Sequence, residues 1–372
     1  MTPDRATRRS ILLVLVSWQP DAPAGMERAT AGLAIGLAQA GHHPVIATAI
    51  PPNSASPPGV HIEHIDIGTT FPCDDRTLRS AVSAHRAHVE RRLADIAARH
   101  AADTIVFVDA LWGLGTLASP TGVRRVLMVH VQPDPLEAAT ALTKADVVIT
   151  PSRTVVDEAA AAGHPTHTWH TVPNALTHEP RPPCGDPEQR RRAPIRVLSR
   201  LGREKGVHRL LPALRDVRRP VEIVLASAAF EATPGGQAAL LRDCRELAAR
   251  CPSVSLLPSL PWDEVPAWLA EASAIIVPSS RETFGLVAAE AMSVGTPFVS
   301  HRIGNLPDLL AGVPDAERLL VEPALGSPGL VTAVHELLDD PVTYAAVTWA
   351  VYYAASDYRP IRVAETFLKA VS

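Results

Sequence analysis

The sequence predicts an α/β protein with two Rossmann-like domains, each built on a parallel sheet covered by helices. Short β-branched apolar runs alternate with stretches of helical periodicity, a pattern typical of such sheets. The 372 residues suffice for about two to three domains with buried cores. Residues 178–194 lack apolar periodicity and are dense in proline and charge. We therefore predict a first domain over residues 1–177, a linker over 178–194 and a second domain over 195–356.

Apolar runs bounded by turn residues predict the strands of both halves. In the first half they cover residues 11–17, 45–49, 60–65, 104–108, 126–129, 147–150 and 167–172. Helical periodicity there predicts helices over 25–40 and 76–100, and a third that is capped by Ser152 and ends at Ala162. In the second half, with helices between them, the predicted strands cover residues 195–199, 221–225, 254–257, 274–277, 297–300 and 319–321.

Composition limits the partners of this protein. The 35 basic and 39 acidic residues give a net charge of −4, so no broad basic field exists to hold nucleic acid. The apolar run 11–16 is too short for a signal peptide or a membrane span, which predicts a cytoplasmic protein. The four cysteines have no zinc-site spacing, and we expect reduced thiols at Cys73, Cys184, Cys244 and Cys251.

Residues 278–310 carry the strongest functional signal. The predicted strand 274–277 is followed by a turn of small residues, and apolar positions then fall at helical spacing from Gly285 to Gly295. At such a helix start the N–H groups of Thr283 to Leu286 point out of the N-terminus, where the macrodipole favours an anion. Gly285 allows a phosphate to approach the backbone closely. The stretch therefore predicts a phosphate-binding loop.

Two carboxylates bracket this loop. Glu282 precedes the helix, and Glu290 lies inside it, roughly 7 to 8 Å along the axis from Gly285 at 1.5 Å per residue. That distance suits the reach from a diphosphate to a ribose diol, and a carboxylate accepts sugar hydroxyls well. The alternative is a capped helix with a helix-stabilising glutamate.

The E-x7-E pattern of Glu282 and Glu290, with TFGLVAA between them and AMSVGTPFVS after them, resembles the retaining glycosyltransferases of family 4. The resemblance implies the GT-B fold, in which two domains face each other across a cleft and the last helix, here residues 357–372, crosses back to the first domain. It also implies that Glu282 contacts the donor sugar, Glu290 the ribose, and the backbone of residues 284–286 (Phe284, Gly285, Leu286) the phosphates. Where the family reads GGLPE, this chain has GNLPD, with Asn305 and Asp308 as the departures.

A second segment, SRLGREKGVHRLL, resembles the family's GRLxxxKG segment, with Ser199 in place of its glycine. Arg200 and Lys205 would then hold the diphosphate and stabilise the charge that builds on the leaving nucleotide, without a metal or other cofactor. The chain has only two other lysines, Lys144 and Lys369, which singles out Lys205. The alternative is solvated surface charge.

Ends of predicted strands in the first half supply Trp18, Asp109, Trp112 and His130 to the predicted acceptor site. Gly25, which begins the predicted helix 25–40, is included in the same site. Family resemblance implies that His130 also contacts the donor sugar near the reacting carbon. Without that resemblance, it is a polar group at a strand end. The tryptophan rings are suited to stack on a sugar ring or to fill a domain interface.

Four further features of the first half bear on its role. Gly25 and Glu27 stand where relatives carry a GG-x-E loop, with Ala24 in place of the first glycine. We expect Asn174, in a turn that resembles the family's PNG, to be structural or a hinge. The helix 76–100 carries six arginines without a Trp or Phe anchor, so we favour packing on the sheet over membrane binding. His164, His167 and His170 are not expected to converge on a metal.

The function that these features predict is a retaining transfer of a hexosyl group from a nucleotide diphosphate sugar to a hydroxyl. UDP is preferred over GDP or ADP because it is commonest in the family. We expect a small polar acceptor, such as a sugar or aminocyclitol of secondary metabolism, and leave the oligomeric state open. The alternatives are a lipid-directed transferase, a nucleotide-sugar epimerase of related fold, and a binding subunit without activity. A glycosidase is excluded because Glu282 and Glu290 share one loop and helix and cannot flank a glycosidic bond.

Overall fold

The computed structural model describes residues 8–51, 56–108, 110–132, 135–183 and 185–372. Asp109, predicted for the acceptor site, and Cys184 lie outside these ranges. The chain divides into two units. The first comprises the residues up to His178 together with Ala229–Pro234 and Arg359–Ser372, and the second comprises Glu179–Ala228 and Gly235–Tyr358.

In chain order the described strands are β1 (Ser10–Val14), β2 (His43–Thr48), β3 (His61–His64), β4 (Cys73–Asp74), β5 (Thr104–Val108), β6 (Arg124–Met128), β7 (Val147–Thr150), β8 (His170–Thr171), β9 (Ile195–Arg200), β10 (Val221–Ala226), β11 (Phe230–Glu231), β12 (Val254–Leu257), β13 (Ala274–Val277), β14 (Phe298–His301) and β15 (Leu320–Val321). The described α-helices are α1 (Gly25–Gln39), α2 (Asp75–Ala84), α3 (Arg86–Arg99), α4 (Pro135–Lys144), α5 (Arg153–Ala161), α6 (Pro187–Arg191), α7 (Val207–Leu210), α8 (Gly236–Ala248), α9 (Val265–Ala270), α10 (Leu286–Ser293), α11 (Leu306–Leu309), α12 (Gly326–Asp339), α13 (Pro341–Ala354) and α14 (Pro360–Ala370).

The first unit is built on a parallel sheet of order β3-β2-β1-β5-β6-β7-β8. All residues of β1 and β5 are buried, as expected for strands covered on both faces. Leu12 on β1 lies opposite Val45 and Ile105 of the neighbouring strands. The predicted return of the last helix is confirmed, because α14 packs on α1 in this unit. A side chain at Gly36 would lie 2.0 Å from the Pro360 carbonyl oxygen, so only glycine permits this contact.

The second unit has a parallel sheet of order β12-β10-β9-β13-β14-β15. From β9 the chain proceeds outward to β10 and β12, then returns to β13 on the other side of β9 and continues to β14 and β15. The order therefore reverses between β9 and β13. In open α/β sheets, ligands bind beyond the carboxyl ends of the strands at such a reversal. The two parallel α/β sheets confirm the predicted fold class.

Several predicted elements differ in extent. The helix predicted over 76–100 is two helices, α2 and α3, separated at His85, where the backbone turns to φ −101° and ψ 14°. No proline or glycine marks this break, so a local sequence signal for it is lacking. The strand predicted over 167–172 is reduced to β8. The predicted linker 178–194 contains α6, and from Glu179 onward it groups with the second unit.

The arginine-rich pair α2 and α3 packs as an ordinary amphipathic layer. Its apolar side chains are buried, namely Leu78, Val82, Val89, Leu93 and Ile96. Several of its arginines are paired within the first unit, among them Arg79 with Glu137, Arg86 with Glu90 at 3.0 Å and Arg99 with Glu63 at 2.9 Å. Through the described ranges, no helix combines the length and apolar character needed to cross a bilayer.

Candidate functional site

Three loops meet at the carboxyl edge of the second sheet, because they follow the adjacent strands β9, β13 and β14. We name them the β9 loop (residues 201–206), the β13 loop (residues 278–285) and the β14 loop (residues 302–305). They contain most of the residues predicted for the donor site. The β13 loop lies between the other two, which both bond to it.

The β9 and β13 loops are joined through their backbones. The Ser280 N–H donates to the Glu204 carbonyl oxygen at 2.8 Å. Gly206 has a φ of +75°, and a side chain there would lie 2.0 Å from the Pro278 carbonyl oxygen. Glycine is therefore required at position 206 both by backbone conformation and by the close approach of the β13 loop.

The central polar contact of the site is an ion pair across the sheet reversal. Lys205 Nζ donates to Glu282 Oε1 at 2.6 Å, and the Ser279 hydroxyl donates to the same oxygen at 2.8 Å. Both members of the pair keep part of their side chains exposed. Lys205 and Glu282 are 77 residues apart in sequence, yet they form one charged group at the place where an α/β sheet binds its ligand.

Arg200, the other cation predicted for the diphosphate, ends β9 and pairs with Glu204 at 2.5 Å. Its side chain is also partly exposed. Two cations thus lie on the β9 side of the reversal, each balanced by a carboxylate of the same unit. An incoming diphosphate can compete with these carboxylates, since it carries more charge and more acceptor oxygens than one carboxylate.

The β13 loop leads into α10 as predicted. Gly285 is the residue before the helix and has a left-handed φ of +93°, which strongly favours glycine. The first N–H groups of α10 have no carbonyl partner within the helix, so they form a suitable anion site. Thr283 is half-buried, whereas Phe284 and Leu286 are buried. Phe284 meets Tyr358 edge-on at 5.4 Å, and burial raises the pKa of Tyr358 to about 12.

Glu290 lies in the middle of α10 and its side chain is 0% exposed. It therefore lies inside the helix that begins after Gly285, as the sequence predicts. Its contact with a ribose stays a prediction. A nucleotide that reached Glu290 would find a carboxylate already removed from bulk water, where a hydroxyl contact is strong.

The β14 loop holds the β13 loop from the other side. Gly304 has a φ of +50°, and a side chain there would lie 1.8 Å from the Glu282 carbonyl oxygen. Asn305, which stands where family members carry the second glycine, is buried, and its Nδ2 donates to the Phe284 carbonyl oxygen at 3.0 Å. Asp308, the second departure, is exposed on α11. Asn305 therefore has a definite contact that sequence reasoning did not identify.

In the first unit, His130 lies just beyond the end of β6 and is 3% exposed. Its Nε2 is 3.2 Å from Asn174 Oδ1, so Asn174 orients the ring, consistent with the structural role expected for it. Burial lowers the His130 pKa to about 4, and the hydrogen bond to Asn174 offsets part of this shift. At neutral pH the imidazole is therefore uncharged and is able to donate or accept a hydrogen bond.

The structure corrects the role expected for the two tryptophans. Trp18 is 0% exposed, and its Nε1 donates to the Glu27 carbonyl oxygen at 3.0 Å. Trp112 is 1% exposed, with Nε1 donating to Asp75 Oδ1 at 2.7 Å and its ring 5.2 Å from that of Phe230. Neither ring offers a face for a sugar, because each fills the core of its own unit and satisfies its N–H there.

Gly25, the remaining residue predicted for the acceptor site, begins α1 and has open space where a side chain would project. Next to it, Glu27 is buried and accepts a hydrogen bond from the Ser17 hydroxyl at 2.8 Å. The glutamate of the GG-x-E position thus fixes the loop that follows β1. Among the predicted acceptor residues that the structure describes, Gly25 has open space beside it, and the contact of the buried His130 with a sugar stays a prediction.

The cysteine thiols of the described ranges are not arranged as metal ligands. Over these ranges, no group of three or more His, Cys, Asp or Glu side chains is placed to hold a metal ion. Cys73, Cys244 and Cys251 are buried free thiols, and burial raises the pKa of both Cys73 and Cys244 to about 11. These two thiols are therefore protonated and unreactive at neutral pH.

Two family models match the chain. The model described as Glycosyltransferase Family 4 matches residues 23–180, and the model described as Glycosyl transferases group 1 matches residues 194–340. Together they account for most of the sequence, and the second includes the β9, β13 and β14 loops.

Two curated relatives match part of the chain. The glycogen synthase of Mycobacterium tuberculosis (strain CDC 1551 / Oshkosh) is 35% identical over 153 residues, which cover 40% of this chain and 34% of that protein. The D-inositol 3-phosphate glycosyltransferase of Corynebacterium efficiens is 34% identical over 161 residues, which cover 40% of this chain and 35% of that protein. This chain therefore matches about a third of the length of these relatives.

A solved structure matches nearly the whole chain. Alr3699/HepE of Anabaena, in complex with UDP and glucose, superposes with a TM-score of 0.75 at 16% identity, over 97% of this chain and 99% of that chain. At this level of identity the likeness establishes the arrangement of strands and helices, and leaves the ligands to be argued from the residues of this chain.

Proposed function

Because this chain belongs to glycosyltransferase family 4 and has the GT-B fold, we propose that it transfers a hexosyl group from a nucleotide diphosphate sugar to a hydroxyl of a small polar acceptor, with retention at the anomeric carbon. The Lys205–Glu282 pair carries the proposal. It lies at the sheet reversal, beside the N-terminus of α10, and offers one cation and one carboxylate, both partly exposed. In a nucleotide diphosphate sugar, the diphosphate suits the cation, and the sugar hydroxyls suit the carboxylate.

In the proposed reaction, the bond between the anomeric carbon and the diphosphate oxygen breaks, and a bond to the acceptor oxygen forms. The proton of the acceptor hydroxyl passes to the leaving phosphate oxygen. Lys205, Arg200 and the N–H groups at the start of α10 stabilise the negative charge that builds on the diphosphate. As Lys205 turns to the diphosphate, Glu282 is released to accept hydroxyl groups of the sugar. No metal or other cofactor is needed in this scheme.

The donor is proposed to be a UDP-hexose. The preference for UDP comes from its frequency in the family, and the structural neighbour from Anabaena is a complex with UDP and glucose. Glu290 is assigned to the ribose, which UDP, GDP and ADP donors share, and therefore does not select among these bases. In the first unit, neutral His130 is the proposed partner for sugar hydroxyls, which an uncharged imidazole can both donate to and accept from.

A compact, hydroxylated acceptor is proposed, such as a sugar or cyclitol. One relative is named for transfer to D-inositol 3-phosphate, which is a compact polyol of this kind. The pairing of arginines in α2 and α3 with acidic residues of the same unit disfavours the lipid-directed alternative, since these charges are already partly neutralised. A cytoplasmic location and a role in secondary metabolism remain part of the proposal.

The decisive experiment incubates the protein with UDP-, GDP- and ADP-glucose and a library of sugars, cyclitols and their phosphates. Release of free nucleoside diphosphate together with a new α-linked glycoside, assigned by NMR, supports a retaining transferase. A changed sugar still attached to the nucleotide indicates an epimerase, and binding without turnover indicates a binding subunit. Product formed only with anionic liposomes, at physiological salt, indicates the lipid-directed alternative.

A further inference from the structure

Asn305 contacts the β13 loop at two points, through the backbone and the side chain. Its backbone N–H donates to the Glu282 carbonyl oxygen at 3.3 Å, and its side-chain Nδ2 donates to the Phe284 carbonyl oxygen at 3.0 Å. The residue is 6% exposed, so these bonds are largely protected from competition with water. Its own carbonyl accepts from the Leu309 N–H at 3.2 Å, which anchors it to α11.

Peptide geometry links these two carbonyls to the anion site. In a trans peptide the C=O of one residue and the N–H of the next point in opposite directions. Holding the Glu282 carbonyl therefore turns the Thr283 N–H away from Asn305, and holding the Phe284 carbonyl turns the Gly285 N–H away from it as well. N–H groups from nearby residues of one loop that face the same side can together form a concave anion-binding nest.

We propose that Asn305 is a positioning residue that sets the direction of the Thr283 and Gly285 N–H groups toward the donor diphosphate. This inference rests on the proposed function. A glycine at position 305 could form only the backbone bond to Glu282, so the second hold, on Phe284, belongs to the asparagine side chain. The orientation of the Gly285 N–H depends on this side-chain hydrogen bond in particular, because glycine has the widest choice of backbone conformations.

Neighbouring contacts support a clamped rather than mobile β13 loop. A side chain at Gly285 would lie 2.5 Å from Leu306 Cδ2, which shows how closely the start of α11 packs on this residue. On the opposite side, Lys205 and Ser279 bond Glu282. The peptide unit between Phe284 and Gly285 lies beyond the reach of those two bonds, and the Asn305 side chain supplies the hold on it.

The test compares Asn305→Gly and Asn305→Asp with the wild type. Aspartate keeps the shape but its carboxylate cannot donate to the Phe284 carbonyl. By calorimetry, both variants should bind UDP roughly tenfold more weakly, as for loss of about one charge-assisted hydrogen bond, while uridine affinity stays unchanged. The KM for the donor should rise by a similar factor, with a smaller change in kcat for Asn305→Gly.

Leu310→Ala is the matched control, because Leu310 is buried at the end of α11 and its side chain is not used in the hold. It should lower thermal stability without changing UDP affinity. Equal loss of UDP affinity in Leu310→Ala and Asn305→Gly at equal loss of stability would overturn the positioning role. Unchanged UDP affinity in both Asn305 variants would overturn it too.

Hydrogen exchange on the wild type keeps the inference testable even if the variants do not fold. Bound UDP should protect the amides of Thr283 and Gly285, and absence of protection there would contradict the inference. If the wild type binds none of UDP, GDP and ADP, the proposed function itself fails. The two failures are thus distinguished by whether the unmodified protein binds a nucleoside diphosphate.

Discussion

The same type of parallel sheet carries different chemistry at the two strand-order reversals. In the second unit, the loops after β9 and β13 present partly exposed charges, Lys205 with Glu282 and Arg200 with Glu204. In the first unit, the loops after β1 and β5 are closed by Trp18 and Trp112, both fully buried. Position at a reversal therefore identifies where a ligand can bind, but the exposure and charge of the side chains decide what kind of ligand that is.

This contrast favours anion binding at the reversal of the second sheet, where Arg200 and Lys205 are partly exposed, over the reversal of the first. His130, near the corresponding edge of the first sheet, is uncharged at neutral pH because burial lowers its pKa to about 4. A neutral hydrogen-bonding group suits hydroxyls better than phosphates. Substitutions in the two units should therefore affect different steps. Removal of a charge in the second unit should change donor binding or the rate of transfer.

The largest effect is expected for Lys205→Ala. Removing this cation should lower kcat by about 100- to 1000-fold at saturating donor, as for loss of one group that stabilises transition-state charge, while KM changes less. Lys369→Ala, at an exposed position in α14, is the control and should behave like the wild type. A wild-type kcat in Lys205→Ala would mean that the charges of the second unit are not catalytic.

The second effect concerns Glu290, which belongs to the charged second unit. Glu290→Ala should weaken UDP binding by about 1.5 to 3 kcal/mol through lost bonds to the ribose hydroxyls. Calorimetry with UDP and 2′,3′-dideoxy-UDP measures this directly, since the analogue should bind both proteins equally. Equal UDP affinity in the variant and the wild type would remove Glu290 from the donor site.

The third prediction tests the neutral state of His130 through pH. Its folded-state pKa is lowered from 6.5 to about 4, so the unfolded chain binds the proton more readily. The contribution of neutral His130 to the free energy of unfolding is therefore present above pH 6.5 and is lost as the pH falls toward 4. The loss amounts to about 2 kcal/mol between pH 7 and pH 5. His130→Gln should lose less stability over this interval in urea unfolding, and an equal loss would show that His130 does not titrate in this way.

Other histidines with lowered pKa values, including His43 and His301, add to the acid sensitivity of both proteins. The comparison between wild type and His130→Gln cancels these contributions. Asn174→Ala should move the profile of the wild type toward greater sensitivity at low pH, because the bond to Asn174 partly offsets the effect of burial on the His130 pKa.

The smallest effect on activity is expected for the buried tryptophans. Trp18→Phe and Trp112→Phe should each destabilise the protein by about 1 to 3 kcal/mol, since the Glu27 carbonyl or the Asp75 carboxylate loses its partner. The KM for the acceptor should stay within about twofold of the wild-type value, because both rings are buried and do not reach the acceptor. A twofold change corresponds to only about 0.4 kcal/mol at 298 K. A large rise in acceptor KM without loss of stability would restore these rings to the acceptor site.

Much of the architecture, and the loops of the candidate donor site, could be predicted from local sequence. Strands such as β5 and β13 match the apolar runs that predicted them, since burial on both faces requires continuous apolar residues. The turn at Gly285 and the helix after it were also predictable, because glycine and helical periodicity act over a few residues. Local patterns in the chain thus determined the two α/β halves and the place of the β13 loop.

Only the tertiary structure decided which side chains meet and which are buried. Lys205 bonds Glu282 because β9 and β13 are neighbours in the sheet, an order that no local pattern encodes. Trp18 and Trp112 follow first-half strands as predicted, but the packing around each ring determines that neither reaches solvent. Asn305 differs from a family glycine by one side chain, and its role depends on a carbonyl 21 residues away. Periodicity and turn chemistry act locally, whereas burial and pairing depend on contacts between distant residues that form only when the sheet is assembled.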